Sequence, residues 1–121
     1  MNRETIIQQA IRLLSRGPFR LFRNNTGSLP DGRGGWVRYG LATGSSDLIG
    51  WRSVTITPEM VGVTIAQFVA LEVKSSTGRP TNEQKAFLAA VHRAGGVAAV
   101  VRSPEAAYEV LSAPVLPPDA P

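Results

Sequence analysis

The chain has 121 residues, 43% hydrophobic and 18% charged, the balance of one globular domain with little length to spare for another. No apolar run approaches the ~20 residues of a membrane span. Without cysteine, disulfides, thiolate nucleophiles and zinc-thiolate sites are excluded together, so any metal must sit on oxygen or on His92. The net charge of +4 rests on eleven arginines and only two lysines, Lys74 and Lys85; such a chain suits a polyanion as well as it suits a genome rich in arginine codons.

From Glu4 to Leu14, the residues Ile6, Ile7, Ala10, Ile11, Leu13 and Leu14 recur at helical spacing, with Asn2 available as a cap. Charges and amides scattered through MNRETIIQQAIRLL deny it the continuous apolar centre of a secretory signal, so export is not expected. Gly17-Pro18 ends that helix, and Phe19 to Arg23 alternates apolar with basic residues as a half-buried strand does. Asn24 to Ser46 is rich in glycine and small polar residues and reads as a long loop, a length that compact domains keep mainly for function. Asp47 then opens DLIGW, the start of a strand that Val54 to Ile56 extends or pairs with.

Pro58 and Gly62 mark a turn before the longest strand candidate, Val63 to Lys74. Alternation puts Phe68, Ala70, Glu72 and Lys74 on one face and Val69, Leu71 and Val73 on the other, and a strand apolar on both faces belongs inside a helix-covered sheet. After SSTGRP, Thr81 and Gln84 form a capping box for a helix from Asn82 to Ala94 that buries Phe87, Leu88 and Val91 and ends at Gly95-Gly96. Val97 to Val101 is a further buried strand. Ser103 caps a last helix, with Pro104 at its first position and Glu105 near the positive end of its dipole. The expected organisation is one α/β domain over residues 1–113 and a disordered tail over 114–121.

Glu72 and Lys74 lie two residues apart on one face of a central strand. As a mere ion pair they would add little, because desolvation offsets the attraction. In a chain whose default cation is arginine, however, a lysine in a strand core stands out. Asp47 begins another strand after a Gly-Ser-Ser loop that leaves room for a ligand. Asp47, Glu72 and the Val73 carbonyl together offer an oxygen-only pocket for a hard divalent ion, and Lys74 offers a cation for an attacking water or a phosphate.

The order Asp47, then Glu72-Val73-Lys74, then the helix opened by Thr81 and Gln84 resembles the PD-(D/E)xK nuclease superfamily, whose core runs αβββαβ. More narrowly, GSSDLIG, ALEVKSSTGRPTNEQKAFL and GGVAAVVRS together resemble the VRR-NUC domain, in the small stand-alone form found in bacteriophages and bacteria. The resemblance runs from about Glu4 to Ser103. A bare D…ExK pattern arises by chance; the lysine followed by threonine, glycine, a glutamine-bearing helix and a Gly-Gly strand entry is far more specific.

The resemblance implies a restriction-endonuclease-like αβββαβ core, with a mixed central sheet flanked by helices. It makes Asp47 and Glu72, with the Val73 carbonyl, ligands of Mg2+ or Mn2+, and Lys74 the catalytic lysine. Gln84 matches a glutamine that faces the active site or the DNA, or else it only closes its capping box. Glu4 matches an acid that reaches the metal through water, or else it is a solvated acid near a helix start. Ser46 stands where the superfamily motif has its proline, a residue that shapes the turn and does no chemistry. Asn24 and Asn25 either bind phosphate and the metal's water or form a turn pair. Arg20, Arg23, Arg33, Arg38 and Arg79 flank the site as DNA-binding candidates or as solvated surface, with Trp36 and Tyr39 beside the loop arginines as a clamp. His92 reads as surface.

The function implied is a metal-dependent endodeoxyribonuclease that hydrolyses phosphodiester bonds in four-way (Holliday) junctions or other branched DNA, as a homodimer in the cytoplasm of a bacterial or phage-infected cell. The alternatives are a nuclease-fold DNA-binding module without cleavage and a sequence-specific, restriction-type endonuclease. Intact Asp47, Glu72 and Lys74 speak against the first, and the short chain speaks against the second.

Overall fold

The structure, a computed structural model, describes residues 2–116; of the tail expected to be disordered, positions 117–121 lie outside the described residues. The chain divides into two compact units, Met1–Val54 and Thr55–Pro121.

The first unit opens with α1 (Arg3–Arg12), capped as expected by the Asn2 side chain, which accepts the Thr5 N–H at 2.8 Å. Beyond the helix, the Ser15 hydroxyl accepts the Leu21 N–H at 2.8 Å and ties the turn to β1 (Phe19–Arg23). The loop expected at Asn24 to Ser46 is instead built around an antiparallel hairpin, β2 (Gly27–Pro30) and β3 (Trp36–Tyr39). Its glycines concentrate in the DGRGG turn, and that density masked a short strand in WVRY, where aromatic and β-branched residues favour extended backbone. After the hairpin, β4 (Leu48–Arg52) pairs antiparallel with β1, Phe19 opposite Arg52 and Arg23 opposite Leu48. Trp51 lies 5.6 Å from Phe22 between ring centroids, and the Arg20 guanidinium sits 5.7 Å over the Trp51 ring.

The second unit begins with a 3-10 turn at Pro58–Met60, followed by β5 (Val69–Val73), α2 (Asn82–Arg93), β6 (Val97–Val101) and α3 (Pro104–Ser112). β5 and β6 run parallel, Val69 opposite Val97 and Val73 opposite Val101, with α2 as the crossover. The strand expected over Val63 to Lys74 is therefore shorter. Its partner β6 starts only after Gly95-Gly96, so the bonding begins at the Phe68 carbonyl and residues 63–67 have no β6 residue to pair with. Val54 to Ile56 likewise is not strand.

Val91 of α2 and Val101 of β6, 1% and 4% exposed, are the most buried of the described residues. Gly96 lets the helix turn into the strand: a Cβ there would lie 2.7 Å from the Val91 Cγ1 and 2.8 Å from the Phe68 carbonyl oxygen. Leu88 is half-buried, whereas Phe87, expected inside, is 41% exposed. Val69 and Val73 are also exposed, so β5 is not covered on both faces as its apolar pattern led one to expect. Ser103 caps α3 with Pro104 at its first turn.

The element order α1-β1-β4-β5-α2-β6 is the expected αβββαβ, with the hairpin inserted between β1 and β4 and α3 appended. The chain is a mixed α/β protein, and where one mixed central sheet was expected its described strands pair as small two-stranded sheets, β1-β4 and β2-β3 antiparallel and β5-β6 parallel. Among the described residues, no helix is long and apolar enough to cross a membrane.

Candidate active site

In the second unit the strand alternation brings Glu72 and Lys74 to one face, as expected, with the Lys74 Nζ 3.4 Å from the Glu72 Oε2 and both side chains half-buried. The backbone ladder places the carbonyl between them. Val97 donates to the Phe68 carbonyl at 2.8 Å and Lys74 donates to the Val101 carbonyl at 3.1 Å, so the even-numbered residues of β5 bond to β6. Val73, being odd, turns its carbonyl to the opposite edge, where β6 does not use it.

Lys74, the residue after β5, makes the last bond to β6, and the chain then folds into a small loop. There the Gly78 N–H meets the Ser75 carbonyl at 3.3 Å and the Ser75 hydroxyl at 3.2 Å. Arg102 fastens this loop from outside: its Nη1 donates to the Ser75 carbonyl at 2.5 Å and to the Gly78 carbonyl at 2.8 Å. Sequence reading passed over Arg102. The signal was present in the register, because Val73 opposite Val101 makes the next pair Lys74 and Arg102. Arg79, by contrast, reaches only its neighbour's carbonyl, Gly78, at 3.5 Å.

Beyond the loop, the Thr81 hydroxyl accepts the Gln84 N–H at 3.1 Å and the Gln84 Oε1 accepts the Thr81 N–H at 2.8 Å, closing the capping box. Gln84 also lines a hollow of about 480 Å³ whose wall includes Glu72, Glu83 and Phe87. The two roles weighed for this glutamine are compatible: its carbonyl oxygen is spent on the cap, and its amide nitrogen remains a donor. Glu83, a first-turn acid that sequence reading assigned no part, shares that wall with Glu72.

In the first unit, Asp47 immediately precedes β4. Its backbone carbonyl accepts the Asn24 N–H at 2.8 Å. The Asn24 side chain fastens the chain returning from the hairpin: its Nδ2 donates to the Ser45 hydroxyl at 2.7 Å and to the Ser46 carbonyl at 2.9 Å, and its Oδ1 accepts the Leu41 N–H at 3.1 Å. Asn25 is exposed. Asp47 and Glu4 line one hollow of about 400 Å³, together with Gln8 and Ser46. Arg23 is exposed at the end of β1, Arg33 is exposed on the hairpin turn, and the Arg38 guanidinium donates to the Thr43 hydroxyl. His92 is exposed on α2, as expected.

The family model of the VRR-NUC domain matches residues 6–105, from within α1 to the first turn of α3. The chain belongs to the VRR-NUC family. No curated protein and no solved structure gives a significant match. VRR-NUC membership makes this a nuclease-type hydrolase with DNA as its substrate. Every site residue expected from sequence falls inside the matched stretch except Glu4, which lies just before it.

VRR-NUC nucleases typically use divalent metals. Among the described residues no three carboxylate or histidine side chains gather into a cluster that could hold a metal ion. The second unit offers the Glu72 carboxylate and the outward-facing Val73 carbonyl, and the first unit separately offers the Asp47 carboxylate. Each of these donors is a hard oxygen, the chemistry that magnesium or manganese takes and a soft ion does not.

Proposed function

We propose that this VRR-NUC protein is a Mg2+- or Mn2+-dependent endonuclease that cuts branched DNA, four-way junctions foremost, as a homodimer. The observation that carries the reading is the 3.4 Å contact between Glu72 and Lys74, beside a strand-edge carbonyl, inside a VRR-NUC match. Asp47 and Glu72, with the Val73 carbonyl, are the groups proposed to hold the ion, and Glu4 is proposed to reach it through water. When bound, the ion would supply Lewis-acid polarisation of the scissile phosphate.

The chain's own residues do the rest. Glu72 keeps the Lys74 ammonium in place, and Lys74 presents positive charge to the attacking water as it loses its proton and a hydrogen-bond donor to the phosphate oxygen on which charge develops. Arg102 holds the loop that follows Lys74, so the ammonium leaves the strand in a fixed direction. Gln84 turns its amide nitrogen to the DNA or the water. Arg23, Arg33, Arg38 and Arg79, with Asn25, are proposed to meet the backbone phosphates. For Asn24 the bonds to Ser45, Ser46 and Leu41 favour a structural part beside Asp47. The dimer is supported by chemistry and by surface: cutting two strands calls for two sites related by a two-fold axis, and α1 exposes Ile6 and Ile7.

The test is incubation of the purified protein with labelled four-way junction, flap, duplex and single-stranded DNA in magnesium, manganese or EDTA. Metal-dependent cutting confined to branched DNA is expected. Binding without cutting would leave the inactive module standing, and cutting of plain duplex at one sequence would favour the restriction-type enzyme. In parallel, saturating manganese should raise the melting temperature, since an ion at a hundred times its Kd stabilises by ~2.7 kcal/mol. Asp47→Ala and Glu72→Ala should each abolish both the shift and the cutting while DNA binding persists.

A further inference from the structure

The β2–β3 hairpin has no part in the chemistry at Glu72 and Lys74, yet it is built with care. Residues opposite each other in an antiparallel pair share a face, so Ser28 with Arg38 and Pro30 with Trp36 form one face, and Leu29 with Val37 and Gly27 with Tyr39 form the other. Tyr39 lies across Gly27 so closely that a Cβ at Gly27 would strike its ring and hydroxyl, which commits Tyr39 to the face of Leu29 and Val37. The opposite face is left to Trp36, 71% exposed.

The turn is tied together by its one acid. Asp31 is the only acidic residue between Asn24 and Ser46. Its Oδ1 accepts the N–H groups of Arg33 at 2.7 Å and Gly35 at 3.0 Å, while Gly32 and Gly34 take positive φ of 79° and 85°, where a side chain would be strained. Arg33 at the tip and Arg38 on the Trp36 face outnumber that one acid, so the arm is net positive. At its base the Asn24 side chain clamps the returning strand immediately before Asp47. Among the described residues neither hairpin strand packs extensively on another element. An exposed indole between arginines, on a cationic ribbon, complements a polyanion that carries flat apolar rings.

We infer that this face receives an unstacked nucleobase at a DNA branch point, single-stranded in a flap or left without a stacking neighbour at the centre of an open junction: Trp36 stacks on the base, and Arg38 and Arg33 take the flanking phosphates. Duplex interiors offer a protein only base edges, whereas an unstacked base offers its face, and a face is what an exposed indole can hold. The inference rests on the proposed action on branched DNA and makes the hairpin the element that recognises the branch.

The test uses the full chain in EDTA, where binding is read without cutting. Fluorescence anisotropy compares a duplex with the same duplex carrying a single-stranded flap, and 2-aminopurine placed at the branch reports stacking. Wild type should bind the flapped DNA more tightly and quench the 2-aminopurine. Trp36→Ala should weaken flap binding about tenfold, the scale of one lost base–aromatic stack, with a smaller loss on duplex, and Trp36→Phe should retain most of the preference. Arg33→Gln with Arg38→Gln should lower the salt dependence of log K by about two, one unit per phosphate contact. Flap affinity and quenching unchanged in Trp36→Ala would overturn the inference. So would a Trp36→Ala protein that keeps its flap preference but loses its dimer in sedimentation, which would assign the face to a second copy of the chain. The nuclease reading fails separately, if wild type with manganese cuts neither these DNAs nor a four-way junction.

Discussion

The second unit holds its candidate residues through neighbours in sequence: Glu72 and Lys74 meet across one strand alternation, and Thr81 and Gln84 close their box within one helical turn. In the first unit, Asp47 depends on bonds that span the hairpin, with Asn24 reaching positions 17, 21 and 22 residues away. Both arrangements fix a carboxylate at a strand. They differ in how they fail. A local bond lost in the second unit disturbs one side chain, whereas losing Asn24 frees the base of the hairpin and the approach to Asp47 together.

The largest expected effect tests the local arrangement. A compact ammonium beside Glu72 can set its point charge against the attacking water and the phosphate oxygen; a guanidinium is wider and planar and spreads its charge over a fork that does not fit the same place. Lys74→Arg should fold and bind DNA yet lose about two or more orders of magnitude in single-turnover cleavage, the scale of a removed proton-transfer or electrostatic group. Near-normal turnover by the folded variant would reduce the Glu72–Lys74 pair to an ion pair that any cation satisfies.

Next is the long-range arrangement. Asn24→Ala leaves the part-buried Ser45 hydroxyl, the Ser46 carbonyl and the Leu41 N–H without their partner, so urea unfolding should show a loss of about 1–3 kcal/mol. The exposed neighbour is the control: Asn25→Ala should stay within about 0.5 kcal/mol of wild type. Faster hydrogen exchange at Leu41 in the Asn24 variant alone would locate the loss at the hairpin base. Equal, small effects in both variants would mean that Asn24 is only half of a turn pair and that Asp47 is held by other means.

Arg102 lies between the two cases, because its bonds reach 24 and 27 residues back yet only one strand across. Arg102→Ala should release the Ser75 and Gly78 carbonyls at a modest cost of about 1 kcal/mol, since the loop is exposed and water replaces the donor. Cleavage should fall roughly tenfold at saturating DNA with KM little changed, as expected when the residue that aims Lys74 is lost and no substrate contact is. A rise in KM with unchanged turnover would instead make Arg102 a DNA contact.

The same contrast explains what the sequence disclosed. β1, β6, α2 and α3 were legible almost to the residue because proline, glycine and capping side chains mark their ends locally. So was the meeting of Glu72 with Lys74, which follows from strand alternation alone. The hairpin was hidden because its turn glycines outnumber its short strand runs in any window that covers both. Arg102 was hidden because its partners are backbone carbonyls that only the β5–β6 register brings to it. The true length of β5 was hidden for a related reason: an apolar run shows where a strand can form, and the partner strand decides how much of it does.

The smallest effect settles what Gln84 does. Thr81→Ala and Gln84→Ala both break the capping box, and each should lower stability by about 1 kcal/mol. They differ in the hollow shared with Glu72, which Gln84 lines and Thr81 does not. If the glutamine only caps the helix, the two variants should cut DNA equally well once compared at temperatures where both are folded. With its amide nitrogen also directed to the site, Gln84→Ala should cut several-fold more slowly than Thr81→Ala at matched stability, the loss expected for one neutral hydrogen bond of about 1 kcal/mol. Gln84→Glu sharpens the comparison, because a carboxylate still accepts the Thr81 N–H and keeps the box but cannot donate and adds negative charge beside Glu72. That variant should retain wild-type stability and cut at least as slowly as Gln84→Ala; wild-type cutting by Gln84→Glu would return the residue to the cap alone.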